Sequence, residues 1–514
     1  MGNRLALLSV TDKTGLVDLA RALTGAGLDL VASGGTKRHL EEAGLTVREV
    51  SEITQAPEVL GGRVKTLHPT VHGGILARRD NTEDMKTLAA NGWAPIDVVV
   101  CNLYPFEKKV AEEADFATLV ENIDIGGVTL LRAAAKNHAH VLALVDPGDY
   151  GRAVESMERG GVFSDAFRQE MALKVFAHTA RYDATIVNGL HSAASVDEWP
   201  AHFSVPGTLR QSLRYGENPH QGAAFYVTSE DACSLATMRQ VHGKELSYNN
   251  LLDIDGALGL AREFTEPACA IIKHSNPCGC AVGNTIEEAH ESARRCDPVS
   301  AFGGIIAVNR AVTKALAEAI APNFTEVVIA PSFDEGALEM LTAKKNLRLI
   351  EVGEMTPLPS QRIVRSVVGG YLVQDLDIGR VRREDMKVAT KREPSEEDWR
   401  GLEFAWRVAK WVKSNAIVYT SASTTLGIGA GQMSRVDSAK LGAMKAKEQG
   451  LNLSGSYLGS DAFFPFRDAV DAAAAAGVKA VIQPGGSVRD EEVIAAADEH
   501  GLIMVLTGMR HFRH

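Results

Sequence analysis

Lys273-His274 closes the apolar run Ala268-Cys-Ala-Ile-Ile272 and opens directly into Ser275-Asn-Pro-Cys-Gly279. A basic pair at the carboxyl end of a buried strand, with a Pro/Gly-bearing turn behind it, is where an α/β sheet places reacting groups. Lysine can donate a proton or hold an oxyanion, and histidine can accept a proton near neutral pH. The bland reading is two basic residues in a surface loop, so the rest of the chain has to decide.

Three strands are expected to run into short glycine-containing turns: Ser9-Val-Thr-Asp-Lys-Thr-Gly15, Ala32-Ser-Gly-Gly-Thr36 and Asp124-Ile-Gly-Gly127. Such turns at helix starts present free N–H groups and partial positive charge, which suits phosphate. Lys13 and the hydroxyls of Ser33 and Thr36 add to that. None of the three fits a dinucleotide fingerprint or a P-loop. Gly61-Gly-Arg-Val-Lys-Thr-Leu-His-Pro-Thr-Val-His-Gly-Gly74 brackets an arginine, a lysine and two histidines with glycine pairs, as an anion-wrapping loop would. His68 and His72 have the spacing of a zinc pair, but the zincin glutamate is absent and Pro69 is expected to break the helix. Asn102-Leu-Tyr-Pro-Phe106 sets an amide and a phenol at a strand's carboxyl end, and Lys136-Asn-His138 ends the helix that Asp124-Ile-Gly-Gly127 begins.

Farther on, Arg214-Tyr-Gly-Glu-Asn-Pro-His-Gln221 concentrates charge, phenol, amide and imidazole in a turn-rich octet. Lys413-Ser-Asn415 is followed by Gly427-Ile-Gly-Ala-Gly-Gln-Met-Ser-Arg435, a Gly-rich turn whose arginine suits a phosphate or carboxylate. Asp461-Ala-Phe-Phe-Pro-Phe-Arg-Asp468 sets rings beside carboxylates, as a flat heterocycle would require. The closing Arg510-His-Phe-Arg-His514 reads either as a binding segment or as a frayed tail. Pro277-Cys-Gly-Cys280 matches no zinc spacing well, and no metal site is expected.

These residues must be carried by more than one core, since 514 residues exceed an ordinary domain. A net charge of −11 argues against non-specific nucleic-acid binding. No apolar run is long enough to span a bilayer, and Met1–Val10 reads as a first strand rather than a signal peptide. The six cysteines sit in apolar or Gly/Pro contexts, the usage of a reducing, cytoplasmic protein. Strands are expected at Leu5–Val10, Asp29–Ala32, Ile96–Cys101 and Val141–Val145. Helices are expected at Gly15–Leu23, Thr36–Ala43, Gly127–Ala135 and Phe163–Leu190. That alternation implies a mostly parallel sheet covered by helices. His191–Pro206 is the expected connector, dividing the chain into 1–198 and 199–514. In the second part, Ser300-Ala-Phe-Gly-Gly304 and Ser460-Asp-Ala-Phe-Phe464 look distantly alike, each downstream of a Gly-rich loop (Cys278–Gly283 and Gly427–Gly431), which suggests a duplication. Leu402–Lys413 reads as an amphipathic helix whose Phe404, Trp406, Val408 and Trp411 serve packing.

Together these motifs resemble one family over essentially the whole chain: the bifunctional AICAR transformylase/IMP cyclohydrolases of purine biosynthesis. The resemblance rests on Ser-Gly-Gly-Thr36, Gly-Gly-Arg-Val-Lys-Thr-Leu-His-Pro69, Asn-Leu-Tyr-Pro105, Asp-Ile-Gly-Gly127, Arg-Tyr-Gly-Glu-Asn-Pro-His-Gln221, Lys-His274, Gly-Ile-Gly-Ala-Gly-Gln-Met-Ser-Arg435 and Ser-Asp-Ala-Phe-Phe-Pro-Phe466. It implies an α/β chain with an N-terminal cyclohydrolase domain of methylglyoxal-synthase-like fold. A C-terminal transformylase domain of two cytidine-deaminase-like halves, without their zinc, would follow. It further implies a homodimer, with 10-formyltetrahydrofolate as co-substrate and no metal requirement.

By the same resemblance, Lys273 and His274 would catalyse formyl transfer. Arg214, Tyr215, Gly303, Glu326, Asn415, Arg435, Phe463 and Arg510 would hold AICAR, and Asp468, Ser487 and Val488 the folate. Lys65, Tyr104, Asp124 and Lys136 would catalyse ring closure. Ser9, Asp12, Lys13, Ser33, Gly35, Thr36, Arg63, Thr66 and Asn102 would bind the nucleotide there. An allosteric sensor would need the phosphate loops but not all four ring-closing residues. A protein with one live activity would need only one constellation, and a zinc deaminase lacks its ligands here.

Overall fold

The computed structural model describes residues 4–57, 59–158, 163–194, 199–228 and 233–514, in two compact units, Met1–Gly207 and Thr208–His514. The expected connector is helical at its start, because the helix Asp165–Ala193 runs past His191; residues 195–198 lie outside the described set.

The first unit is built on strands β1 (Arg4–Ser9), β2 (Leu28–Ala32), β3 (Val47–Glu49), β4 (Ile96–Cys101) and β5 (Leu142–Leu144). They form one parallel sheet in the order β3-β2-β1-β4-β5. Leu5, Leu7, Val99 and Cys101 face one core; Ala6, Leu8, Val98 and Val100 face the other. Burial on both faces is why these strands read as unbroken apolar runs rather than alternating ones. The strand order reverses between β1 and β4, so a crevice opens beyond their carboxyl ends, at Ser9 and Cys101.

The second unit holds β6 (Thr208–Leu213), β7 (Ala223–Val227), β8 (Arg239–His242), β9 (Ala268–Lys273), β10 (Asn276–Val282), β11 (Ile305–Val308), β12 (Val327–Ala330) and β13 (Arg348–Glu351). It continues with β14 (Arg362–Val367), β15 (Gly370–Asp375), β16 (Lys387–Val388), β17 (Ile417–Thr420), β18 (Thr425–Gly429), β19 (Tyr457–Ser460), β20 (Ala480–Gln483) and β21 (Ile503–Leu506). Two six-stranded sheets result, β10-β9-β11-β12-β13-β8 and β18-β17-β19-β20-β21-β16, with β6-β7 and β14-β15 as separate two-stranded pairs. Position by position they agree: the same pairs are antiparallel and the same pairs parallel. The duplication is therefore real at the level of topology. Its register differs from the expected one, since Ser300–Gly304 precedes β11 while Ser460 ends the equivalent strand β19. The sheets adjoin edge to edge, where Ala281 bridges Thr424 and the Thr425 hydroxyl accepts from Cys280 N (2.9 Å) and donates to its carbonyl (3.1 Å).

Both Gly-rich segments expected as loops are largely strand, β10 and β18. Their glycines answer to a helix pressed onto the sheet: a Cβ at Gly279 would lie 1.9 Å from the Ala293 carbonyl, and one at Gly429 1.9 Å from that of Ser438. Likewise Gly73 and Gly74 sit in the helix Pro69–Leu76 rather than a loop. Pro69 starts that helix instead of breaking one, with the His68 ring capping Thr70 N (3.3 Å). Gly73 faces the Trp93 ring and Gly74 the Ala94 carbonyl, each too close for a side chain. The amphipathic helix spans Glu396–Ala409, and Phe404, Trp406, Val408 and Trp411 are all buried, as the packing role requires.

Candidate functional site

At the switch point of the first unit, the buried Asn102 amide holds the turn after β1. Its Oδ1 accepts from Thr11 N (2.6 Å), Thr11 Oγ1 (2.8 Å) and Asp12 N (3.0 Å), while Nδ2 donates to the Asp12 carbonyl (3.0 Å). Thr36 does the same from the neighbouring turn, its buried hydroxyl exchanging bonds with Val10 N (3.2 Å) and Val10 O (3.1 Å). These two side chains shape the crevice from beneath. Asp12 in turn accepts from Thr14 N and Oγ1, bonds that hold its carboxyl below the usual range.

What faces outward is the N-terminus of the helix Gly34–Glu42, whose Ser33 makes no side-chain cap. A Cβ at Gly34 would lie 3.8 Å from the Lys65 ammonium and one at Gly35 4.0 Å from that of Lys13. Two cations thus converge on uncapped N–H groups, an arrangement that favours a phosphate. Ser9 ends β1 beside this crevice. Arg63 is exposed and paired with Glu121.

Thr66 reaches the next helix start, where its hydroxyl lies 2.9 Å from a Cβ built on Gly126. There Asp124 accepts from Gly127 N (2.7 Å) and Tyr104 N (3.4 Å), and its own N–H donates to the Tyr182 hydroxyl (2.8 Å). Burial pushes the Asp124 carboxyl up, against the pull of those two N–H bonds. The Tyr104 phenol is exposed. Lys65, Thr66, Tyr104 and Asp124 are thus gathered around two neighbouring helix starts. Lys136 is not: it ends the helix Gly126–Lys136, roughly 15 Å along its axis from the Asp124 end.

In the second unit, Lys273 and Asn276 flank a two-residue hairpin turn, His274-Ser275, between β9 and β10. His274 (φ 53°) and Ser275 (φ 59°) are both left-handed, which non-glycine residues rarely adopt. The Asp253 carboxylate accepts from His274 N (3.0 Å) and Ser275 N (2.6 Å). Lys273 Nζ donates to the Phe302 carbonyl (2.7 Å), which anchors it beside Gly303 and leaves further N–H donors for a ligand. Glu326, just before β12, rests on that loop, its N–H on Gly304 O (3.0 Å) and its carboxylate on Arg348 (2.6 Å).

From the turn a run of bonds crosses to the other half. Asn276 Oδ1 accepts from Lys413 N (2.9 Å), and Asn415 accepts from Arg435 (2.8 Å) and donates to Gln432 O (2.9 Å). Arg435 is buried: its guanidinium is held by Asp461 and by Ser460 Oγ (2.9 Å). Phe463 lies two residues on, and Arg510 is placed beside the group by His511 N donating to Asp461 O (3.0 Å). The C-terminus is tied down rather than frayed, with the Arg513 guanidinium 4.5 Å above the Trp411 ring. Lys273, His274, Asn276, Cys278 and Gly427 line a cleft of about 410 Å³ between the halves, together with the Asp297–Lys445 ion pair (2.5 Å).

Phe466 stacks under Arg489 (4.7 Å), which brings the turn Ser487-Val488 toward the helix that Asp468 starts. Arg214 and Tyr215 belong to the β6–β7 hairpin loop, closed by Gln221 and resting on Asn249 (3.4 Å to Glu217 O). All six cysteines are free and buried, and the described residues include no group of metal-ligating side chains. Sequence reasoning missed Asp253, Asn276 and the Asp297–Lys445 pair. A carboxylate set among Leu251, Leu252 and Ile254 was the available signal for the first.

The family profile described as AICARFT/IMPCHase bienzyme matches residues 134–445, and the MGS-like domain profile matches residues 15–129. The bifunctional purine biosynthesis protein PurH of Dinoroseobacter shibae is 55% identical over 99% of each chain. A solved structure titled "Crystal structure of ForH" is 37% identical and covers 37% of this chain and 99% of that one, with a TM-score of 0.33. An MGS-like sheet domain, followed by a second unit and matched over its whole length at this identity, means that the chain belongs to the AICARFT/IMPCHase bienzyme family.

Proposed function

We propose that the two reactions of this bifunctional enzyme are divided between its units, with formyl transfer in Thr208–His514 and ring closure in Met1–Gly207. The chain carries out the last two steps of IMP synthesis, using 10-formyltetrahydrofolate as the formyl donor. The observation that carries the division is the presence of two separate constellations, one at the β9–β10 turn and one at the β1/β4 switch point.

In formyl transfer the 5-amino group of AICAR attacks the formyl carbon. The amine loses a proton, the carbonyl oxygen becomes an oxyanion, and the bond to the folate nitrogen breaks as that nitrogen is protonated. The amine is a weak nucleophile because its lone pair is delocalised, so a base must act as the bond forms. His274, exposed at the cleft, takes that proton. Lys273, anchored on Phe302 O, meets the oxyanion or the departing nitrogen. Arg214, Tyr215, Gly303, Glu326, Asn415, Arg435, Phe463 and Arg510 belong to the AICAR side, and Asp468, Ser487 and Val488 to the folate side. For Asn415 and Arg435 the role is shared with holding the fold.

In ring closure the carboxamide nitrogen attacks the formyl carbon and water leaves. Orientation, an oxyanion partner and a proton relay are needed. Lys13 and the Gly34–Gly35 N–H groups hold the phosphate end, while Lys65, whose ammonium lies beside Gly34, meets the charge that develops on the reacting carbonyl. Tyr104 and Asp124 stand at the reacting end, where a carboxyl raised by burial suits proton transfer. Lys136 belongs to this set by resemblance alone.

A homodimer is part of this reading. The β14–β15 hairpin exposes Ile363, Val364, Val367, Tyr371 and Leu372, more apolar surface than a two-stranded hairpin keeps in water by itself. The buried, reduced thiols suit the cytoplasm. The division is tested by replacing Lys273 or His274 with alanine. Formyl transfer should be lost while supplied formyl-AICAR still closes; loss of both in a folded variant would contradict it.

A further inference from the structure

The duplication supplies an internal control for the Lys273-His274 turn. The helices Tyr248–Ala261 and Glu396–Ala409 are equivalent, equal in length, and each starts with a serine capping box. Their sixth residues are Asp253 and Gly401. Gly401 leaves no room for a side chain, since a Cβ there would lie 2.1 Å from the Tyr457 ring. The hairpin that this second helix faces, β17–β18, has a longer loop. It is held by its own Ser421, whose hydroxyl accepts from Ser423 N (3.3 Å) and Thr424 N (3.1 Å), and no residue of it has a positive φ. Only the half that carries the lysine–histidine pair has both the left-handed turn and the carboxylate that ties it.

We propose that Asp253 is a positioning residue for formyl transfer: its two oxygens lock the His274-Ser275 turn in the left-handed conformation and so fix where Lys273 and His274 point. This rests on the reading of His274 as the base. Two N–H groups directed at one carboxylate form charge-assisted bonds, stronger than neutral ones. Without them a non-glycine pair has little reason to stay left-handed. An asparagine would keep one acceptor oxygen but turn its NH₂ toward the other donor.

The test uses the full-length enzyme, assayed for formyl transfer and, on supplied formyl-AICAR, for ring closure. Asp253→Ala is expected to lower kcat for formyl transfer by on the order of a hundredfold, the cost of a misplaced reacting group, with KM for AICAR and ring closure little changed. Asp253→Asn should lie between. Adding Ser275→Gly to Asp253→Ala should restore much of kcat, because glycine adopts the left-handed conformation without support. Wild-type kcat in Asp253→Ala would overturn the proposal. So would failure of Ser275→Gly to restore kcat while ring closure persists, since Asp253 would then act on the substrate itself. His274→Ala run in parallel separates the two readings: an active His274→Ala overturns the base assignment, whereas an inactive one beside an active Asp253→Ala overturns only the role of Asp253.

Discussion

The Arg435 guanidinium is paired with Asp461 in the interior of the second unit, where neither side chain meets solvent to any extent. Ser414 Oγ and Ala416 N (3.2 Å) also bond the carboxylate, so the pair closes a network around the Lys413–Asn415 segment. An arginine that looked from its Gly-rich approach like a ligand-facing group is first of all a buried counter-ion.

That has a measurable consequence. Removing one partner of a buried ion pair strands the other charge, at about 3–5 kcal/mol. Arg435→Ala should therefore lower the melting temperature and abolish formyl transfer together. Pairing it with Asp461→Asn, which removes the stranded charge, should return part of the stability without the activity. An Arg435→Ala enzyme with wild-type stability and only a raised KM for AICAR would place the guanidinium in the ligand instead.

Lys65 lies in the turn before the helix Pro69–Leu76, close to the Gly34 N-terminus. Losing a cation aimed at developing charge costs on the order of 10²–10³ in rate. Lys65→Ala should let formyl-AICAR accumulate while tetrahydrofolate is still released at the normal rate. Chromatography of the products reads both. Undiminished IMP formation would remove Lys65 from the ring-closing set.

His290 gives the second unit an acid sensitivity. It is buried in the helix Ile286–Cys296, its Nδ1 has no partner, and burial lowers its pKa to about 4. A histidine depressed in the fold takes up its proton in the unfolded chain first. Stability is thus whole above about 6.5 and falls as the pH drops toward about 4, by up to ~3 kcal/mol. Thermal melts across that window should show a smaller loss for His290→Leu than for the unaltered protein. Parallel losses would contradict it.

Much of the frame was legible from the residues. Ile96–Cys101 coincides with β4, because a continuous apolar run bounded by polar turns leaves little choice. Glycine misled where its reason was distant in sequence: Gly279, Gly427 and Gly429 lie in strands because a helix backbone presses on them, which no local pattern reveals. The helix expected at Leu402 starts at Glu396, behind the capping box Ser395/Asp398; that signal was present but masked by a charged first turn. At the site, motif order named segments that the fold brings to the β1/β4 switch point and to the β9–β10 turn. That Lys136 ends the helix begun after Asp124 was readable in advance, whereas only the fold shows that Asn102 and Thr36 are tied up in shaping the crevice.

The central claim is two working sites in one chain, and one assay addresses it directly. Purified protein with AICAR and 10-formyltetrahydrofolate, followed for tetrahydrofolate and IMP separately, should yield both. Tetrahydrofolate without IMP, or neither product while added formyl-AICAR still closes, would contradict the account by leaving only one unit active.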